Sequence, residues 1–166
     1  MRILGIDPGY AIVGCGVLDY ENNHFSVVEY CAITTPAEMD FNRRLEVIYD
    51  DMTDLISRTR PDAVSIEKLF FNSNQKTVID VGQARGVLML ACQKAGLEVF
   101  EYTPLQVKQS VVGYGRAEKK QVQEMTRVIL SLPKIPKPDD VADALAMAIC
   151  HGHSSGSLMG KLRNIK

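Results

Sequence analysis

Residues 2–9, Arg2-Ile3-Leu4-Gly5-Ile6-Asp7-Pro8-Gly9, decide how this chain is read. Ile3, Leu4 and Ile6 form a short apolar run that reads as a buried strand, and Asp7-Pro8-Gly9 ends it with turn chemistry. A carboxylate at the end of a core-forming run is costly unless something cationic compensates it. The pattern recurs. Glu67 closes Ala63-Val64-Ser65-Ile66-Glu67, and Asp140 and Asp143 open the apolar segment 141–149. Taken alone, Asp7 reads equally well as a turn carboxylate capping Gly9. The acids at 139–143 also fit a helix N-terminus, where Asp139 is the residue expected to complement the dipole. The four acids together point to hard divalent cations. Two Mg²⁺ ions would compensate them and clamp a phosphodiester for in-line attack, the chemistry of a metal-dependent nuclease.

Outward from Asp7, residues 11–19 and 25–34 read as a second and third strand joined by a Glu21-Asn22-Asn23 hairpin turn. Residues 40–59 place Leu45, Ile48, Tyr49, Met52, Leu55 and Ile56 on one helical face. Residues 62–67 form a short strand, 75–95 a long helix ended by Gly96, and 97–102 a fifth strand. Helices follow over 104–112, 117–131 and 139–151, the last after an extended link carrying Pro133, Pro136 and Pro138. This order predicts an α/β fold with a mixed five-stranded sheet. Strands 1–3 form an antiparallel meander, strands 4 and 5 run parallel, and helices flank both faces. The first strand is then central with the fourth beside it, so Asp7 and Glu67 meet at one end. A late helix crossing that end adds Asp140 and Asp143, which share a face at i and i+3. Residues 1–153 are expected to form one domain, with 154–166 a flexible tail.

A hydrophobic fraction of 46% over 166 residues suffices for one full core. No stretch approaches the roughly 18–20 uncharged apolar residues of a membrane span, and no signal-peptide pattern opens the chain, so a cytoplasmic location is expected. Cys15, Cys31, Cys92 and Cys150 lie in or beside apolar runs without a Cys-x-x-Cys pair. They read as buried reduced thiols rather than a zinc or disulfide framework. The net charge of −1 is unevenly spread: residues 1–67 sum to −7 and residues 68–138 to +6. Backbone contact with nucleic acid needs a local basic surface, not a basic total.

Taken in order, these stretches resemble the RuvC family of Holliday-junction resolvases, within the ribonuclease H-like superfamily. The resemblance rests on Gly5-Ile6-Asp7-Pro8-Gly9, on Ile66-Glu67 with Phe70 soon after, and on Gly82-Gln83-Ala84-Arg85-Gly86. It continues through Gln106-Val107-Lys108-Gln109, Val111-Val112-Gly113-Tyr114-Gly115, Ala117-Glu118-Lys119 and Ala142-Asp143-Ala144-Leu145-Ala146, reaching about His153. It implies a ribonuclease H-like fold and a homodimeric endonuclease with two Mg²⁺ ions per site, Mn²⁺ substituting. Such an enzyme nicks two opposed strands of a four-way DNA junction, leaves ligatable ends, and serves recombination and repair alongside the RuvA–RuvB branch-migration complex. The family's catalytic, metal-holding acids map onto Asp7, Glu67, Asp140 and Asp143. Asp139 is an extra acid that leaves the register open by one residue, the third acid is Asp where some relatives have His, and the tail after His153 has no family pattern.

Other residues carry a structural reading beside the functional one. Phe70 and Phe71 fit core packing, with one a stacking platform at the junction centre; the resemblance favours Phe70. Lys108, Lys119 and Lys120 fit a solvated face or a phosphate contact beside a helix N-terminus. The resemblance supports the first two, and Arg85 on the long helix is a further DNA-binding candidate. Gly82 and Gly86 fit either packing of the long helix on its own sheet or a homodimer contact through that helix, residues 75–95. His151 and His153 read as a frayed helix end rather than a metal site. Two other functions compete. A kinase-like nucleotide module shares the Asp-x-Gly turn but needs a second domain, for which 166 residues leave no room. An RNA-directed relative or a non-catalytic binder would be told apart by its response to the 2′-OH.

Overall fold

A computed structural model describes residues 1–68 and 75–156, with side chains on the long helix described from Val78 onward. Strands β1 (Arg2–Asp7), β2 (Ile12–Glu21) and β3 (His24–Thr34) form the expected meander. Asn22 and Asn23 take positive φ at 52° and 62°, the twist that a two-residue hairpin turn requires. Helix α1 (Phe41–Thr59) starts where the Asp40 side chain accepts the Asn42 N–H and leads to β4 (Ala63–Glu67). Helix α2 (Gln75–Lys94) and strand β5 (Glu98–Tyr102) complete the sheet, whose order is β3-β2-β1-β4-β5. β1 pairs antiparallel with β2 and parallel with β4, and β5 continues the parallel side, so β1 is central.

Alternation along the strands builds two cores. Leu4, Ile6, Val64 and Ile66 face α1 and α2, packing on Ile48, Met52, Leu55, Ala84 and Leu88. On the other face Ile3 and Leu18 pack with α3 (Pro104–Val112), α4 (Lys119–Ile129) and α5 (Asp139–Gly156), through Val107, Val122, Leu145 and Ile149. Helix α5 is almost wholly buried and crosses β1 and β2 at backbone contact. A Cβ on Gly5 would sit 2.0 Å from the Ala144 carbonyl oxygen, and one on Gly14 would sit 1.9 Å from that of Asp140. The Ser65 hydroxyl donates to the Met147 carbonyl at 2.7 Å, tying β4 to the same helix.

The helices depart from the sequence expectation at some ends. α4 begins at Lys119, two residues late, where the Glu118 N–H donates to the Gln121 side chain. α5 runs five residues past 151 because its face stays packed, with Gly152 against Phe25 and Gly156 against Tyr20. Ser154 and Ser155, expected in a flexible tail, are therefore helical; residues 157–166 lie outside the described residues. Among the described residues no helix is long and apolar enough to cross a membrane.

Candidate active site

Asp7 and Glu67 end adjacent parallel strands, one residue beyond the Ile6–Ile66 pair. Each lies an even number of residues from a position that faces α5: Asp7 from Ile3 and Gly5, Glu67 from Ser65. Both side chains therefore rise on the α5 face at the carboxyl ends of the strands, where open α/β sheets bind ligands. The glycine contacts seat the start of α5 directly above them. A cavity of about 350 Å³ opens there, lined by Asp7, Glu67 and Asp143 together with Lys108, Lys119, Val107 and Met147.

The acids stress one another. Burial, then the charges of Asp143, Glu67 and Asp140, push the Asp7 carboxyl up to about 7 against an opposing pull from Lys119. Burial and then Asp143 raise Glu67, with Lys119 again opposing. Lys119 Nζ lies 2.6 Å from Asp143 Oδ2, a bond that raises the lysine above its ordinary range. The site thus holds more negative charge than its protein partners neutralise. Its donors are all carboxylate oxygens, which suit Mg²⁺ or Mn²⁺ and not a soft metal. Among the described residues no group of three or more His, Cys, Asp or Glu side chains is drawn close enough to hold an ion as it stands.

The remaining sequence candidates separate. Asp140 opens α5 and its charge reaches Asp7, but it does not line the cavity. Asp139, in the first turn of α5, is turned to Lys137, which lowers its carboxyl. Lys120 is exposed on α4 and away from the cavity lining. Arg85 is ion-paired with Glu101 and donates to the Glu67 carbonyl, so its guanidinium braces β4 against β5. Gly82 and Gly86 do not pack on the sheet, for a Cβ on either would meet nothing within 4 Å. His151 is a packed side chain, bonded to the Tyr102 hydroxyl at 2.8 Å and pushed down to about 4 by burial; His153 reaches Ser110. Neither belongs to a frayed end. Phe70 and Phe71 lie outside the described residues. Sequence reasoning missed Gly5, Gly14 and Ser65, the residues that set the height of α5 over the acids.

Residues 3–151 match the family described as crossover junction endodeoxyribonuclease RuvC. RuvC of Ruminiclostridium cellulolyticum is 64% identical over 165 residues, 98% of this chain and 99% of that one. The structure of Thermus thermophilus RuvC superposes with a TM-score of 0.87 at 34% identity, covering 93% of this chain and 95% of that one. T. thermophilus RuvC in complex with Holliday junction substrate gives 0.88 at 31% identity, covering 96% and 98%.

Proposed function

Because this chain belongs to the RuvC family of crossover junction endodeoxyribonucleases, a family of metal-dependent hydrolases, we propose that Asp7, Glu67, Asp140 and Asp143 form its catalytic centre. The protein is a Holliday-junction resolvase of homologous recombination with a ribonuclease H-like fold. The observation that carries the site assignment is the cavity in which Asp7, Glu67 and Asp143 share one rim with Lys108 and Lys119.

In this reading Asp7, Glu67, Asp140 and Asp143 are the residues that would hold two Mg²⁺ ions. Bound there, the ions supply an activated water and charge neutralisation at the leaving oxygen. The chain's own groups do the rest. Lys108 and Lys119 grip the scissile phosphate, with Lys119 placed to meet the charge that develops on it. Val107 and Met147 wall the cavity and limit water access. Lys120 contacts the DNA backbone farther along α4. Phe70 keeps its stacking role on sequence grounds.

Two opposed nicks need two sites, and a two-fold dimer matches a two-fold junction. The outward face of α2 supports self-association, with Ile79 59% and Leu90 52% exposed beside Gly82 and Gly86. Contact with RuvA–RuvB rests on the family resemblance, and a cytoplasmic location fits four unbridged cysteines. The deciding experiment compares cleavage of a four-way DNA junction, a linear duplex and a structured RNA in Mg²⁺. Junction-selective nicking by the wild type is expected. Asp7→Asn should bind the junction without cutting it, and retained cleavage removes Asp7 from the mechanism.

A further inference from the structure

All four cysteines are expected as buried reduced thiols; Cys15, Cys92 and Cys150 are free and buried, while Cys31 is free and half-buried. Cys15 on β2 and Cys31 on β3 are direct cross-strand partners. Directly opposed residues on an antiparallel pair project to the same face. Their Cα atoms stand about 4.5 or 5.5 Å apart, depending on the ladder position, and both spacings fall inside the roughly 4.4–6.8 Å span of a disulfide. The register irregularity of this ladder lies between Val17 and Leu18, beyond the pair.

We propose that Cys15 and Cys31 form a reversible oxidation site, at which a hydroperoxide converts the two thiols into a disulfide joining β2 to β3.

The two thiols have different surroundings, which assigns their roles. Cys15 is fully buried in the core beneath α1 and α2, whereas Cys31 is half-buried at the margin of that core. The adjacent Cys15 thiol lowers the Cys31 thiol below its ordinary value, while the Cys15 S–H itself donates to the Val13 carbonyl at 3.9 Å. Arg58 on α1 helps, while burial and Glu29 oppose. Cys15 is correspondingly raised. Cys31 is therefore the attacking group and Cys15 the resolving one. Cys92 and Cys150 are fully buried, and burial pushes both thiols up to about 11, so neither competes as a nucleophile.

The chemistry closes. The Cys31 thiolate attacks one peroxide oxygen, the O–O bond breaks, and the departing hydroxide takes up a proton as water. Cys31 is then a sulfenic acid. The Cys15 sulfur, losing its proton, attacks the Cys31 sulfur; the S–S bond forms, the S–O bond breaks, and a second water leaves. Both sulfurs are oxidised by one electron each and one hydrogen peroxide is reduced. A dithiol reductant reverses the bridge by exchange.

The test uses the full reduced chain, treated with hydrogen peroxide, blocked with iodoacetamide and digested with a glutamate-specific protease. Cleavage after Glu21, Glu29 and Glu38 separates the two cysteines, so peptides 1–21 and 30–38 stay joined only through the bridge. The expected result is one linked species that dithiothreitol separates, with Cys92 and Cys150 still alkylated. Cys31→Ser abolishes the link, Cys150→Ser retains it, and Cys15→Ser leaves a dimedone-reactive Cys31. Should a Cys15 variant misfold, the wild-type peptide map decides alone. A Cys31 that stays alkylatable after peroxide, a Cys15–Cys92 bridge, or a link between two chains overturns the proposal.

Discussion

Asp7→Asn should stabilise the metal-free protein at neutral pH while destroying its activity. An ordinary aspartate titrates at 3.8, and Asp7 in the fold at about 7. Between those values the folded state binds more protons than the unfolded state, so stability falls as pH rises through this window and the loss is complete above it. At about 1.4 kcal/mol for each tenfold step, holding Asp7 ionised in the fold costs about 4 kcal/mol. Asparagine is neutral throughout and escapes that cost. Wild type and variant should therefore match near pH ~4 and diverge upward, with the variant ahead by as much as about 4 kcal/mol near pH ~8. With a urea slope of about 2 kcal/mol/M, the midpoints separate by about 2 M. The assay is urea unfolding in EDTA across that range, beside junction nicking in Mg²⁺. Parallel stability curves, or a wild type that stays ahead at the alkaline end, would refute the picture of an acid held against its neighbours.

Four further perturbations test separate parts of the site. Gly14→Ala would put a methyl 1.9 Å from the Asp140 carbonyl oxygen, where ordinary contact begins at 3.4 Å. α5 must then lift by roughly 1.5 Å, costing about 1–3 kcal/mol in denaturant melts and about 100-fold in nicking. Lys119→Met should lower single-turnover nicking of a prebound junction by about 100-fold, the loss of one positioned charge at the reacting phosphate. Leu90→Glu should weaken self-association by about 30-fold, read by light scattering across a concentration series, as loss of about 2 kcal/mol at an exposed apolar anchor predicts. Removal of divalent ions with EDTA should abolish nicking, and Mg²⁺ or Mn²⁺ should restore it in a single-turnover assay.

Much of this arrangement is written in short-range patterns. The run 2–7 is apolar enough to be a central strand and stops at an acid and a proline, so both the strand and the place of Asp7 at its end follow from adjacent residues. The same holds for Glu67. The i, i+3 spacing of Asp140 and Asp143 places them on one helix face, yet not their unequal standing: Asp143 lines the cavity and Asp140 does not. That difference depends on how α5 is seated on β1 and β2, a long-range contact that no local pattern encodes. Arg85 illustrates the same limit. A basic residue on a helix reads as a free cation, and only the fold shows that β5 brings Glu101 beside it. His151 likewise reads as part of a helix end until Tyr102 and Phe100 enclose it.

One long-range signal was present in the residues. Gly5 on β1 pairs with Gly16 on β2, and Asp7 pairs with Gly14. Gly5-x-Asp7 and Gly14-x-Gly16 therefore lay three glycines on one face of two neighbouring strands, a strip without side chains. Such a strip in a sheet centre leaves a void unless another backbone fills it, and close-packed interiors do not keep voids of that size. The occupant must itself carry small residues, and 142–148, Ala-Asp-Ala-Leu-Ala-Met-Ala, offers alanine at every second position. The small residues of α5 and the glycines of β1 and β2 are two halves of one contact. That contact, more than the acids themselves, brings Asp143 within reach of Asp7.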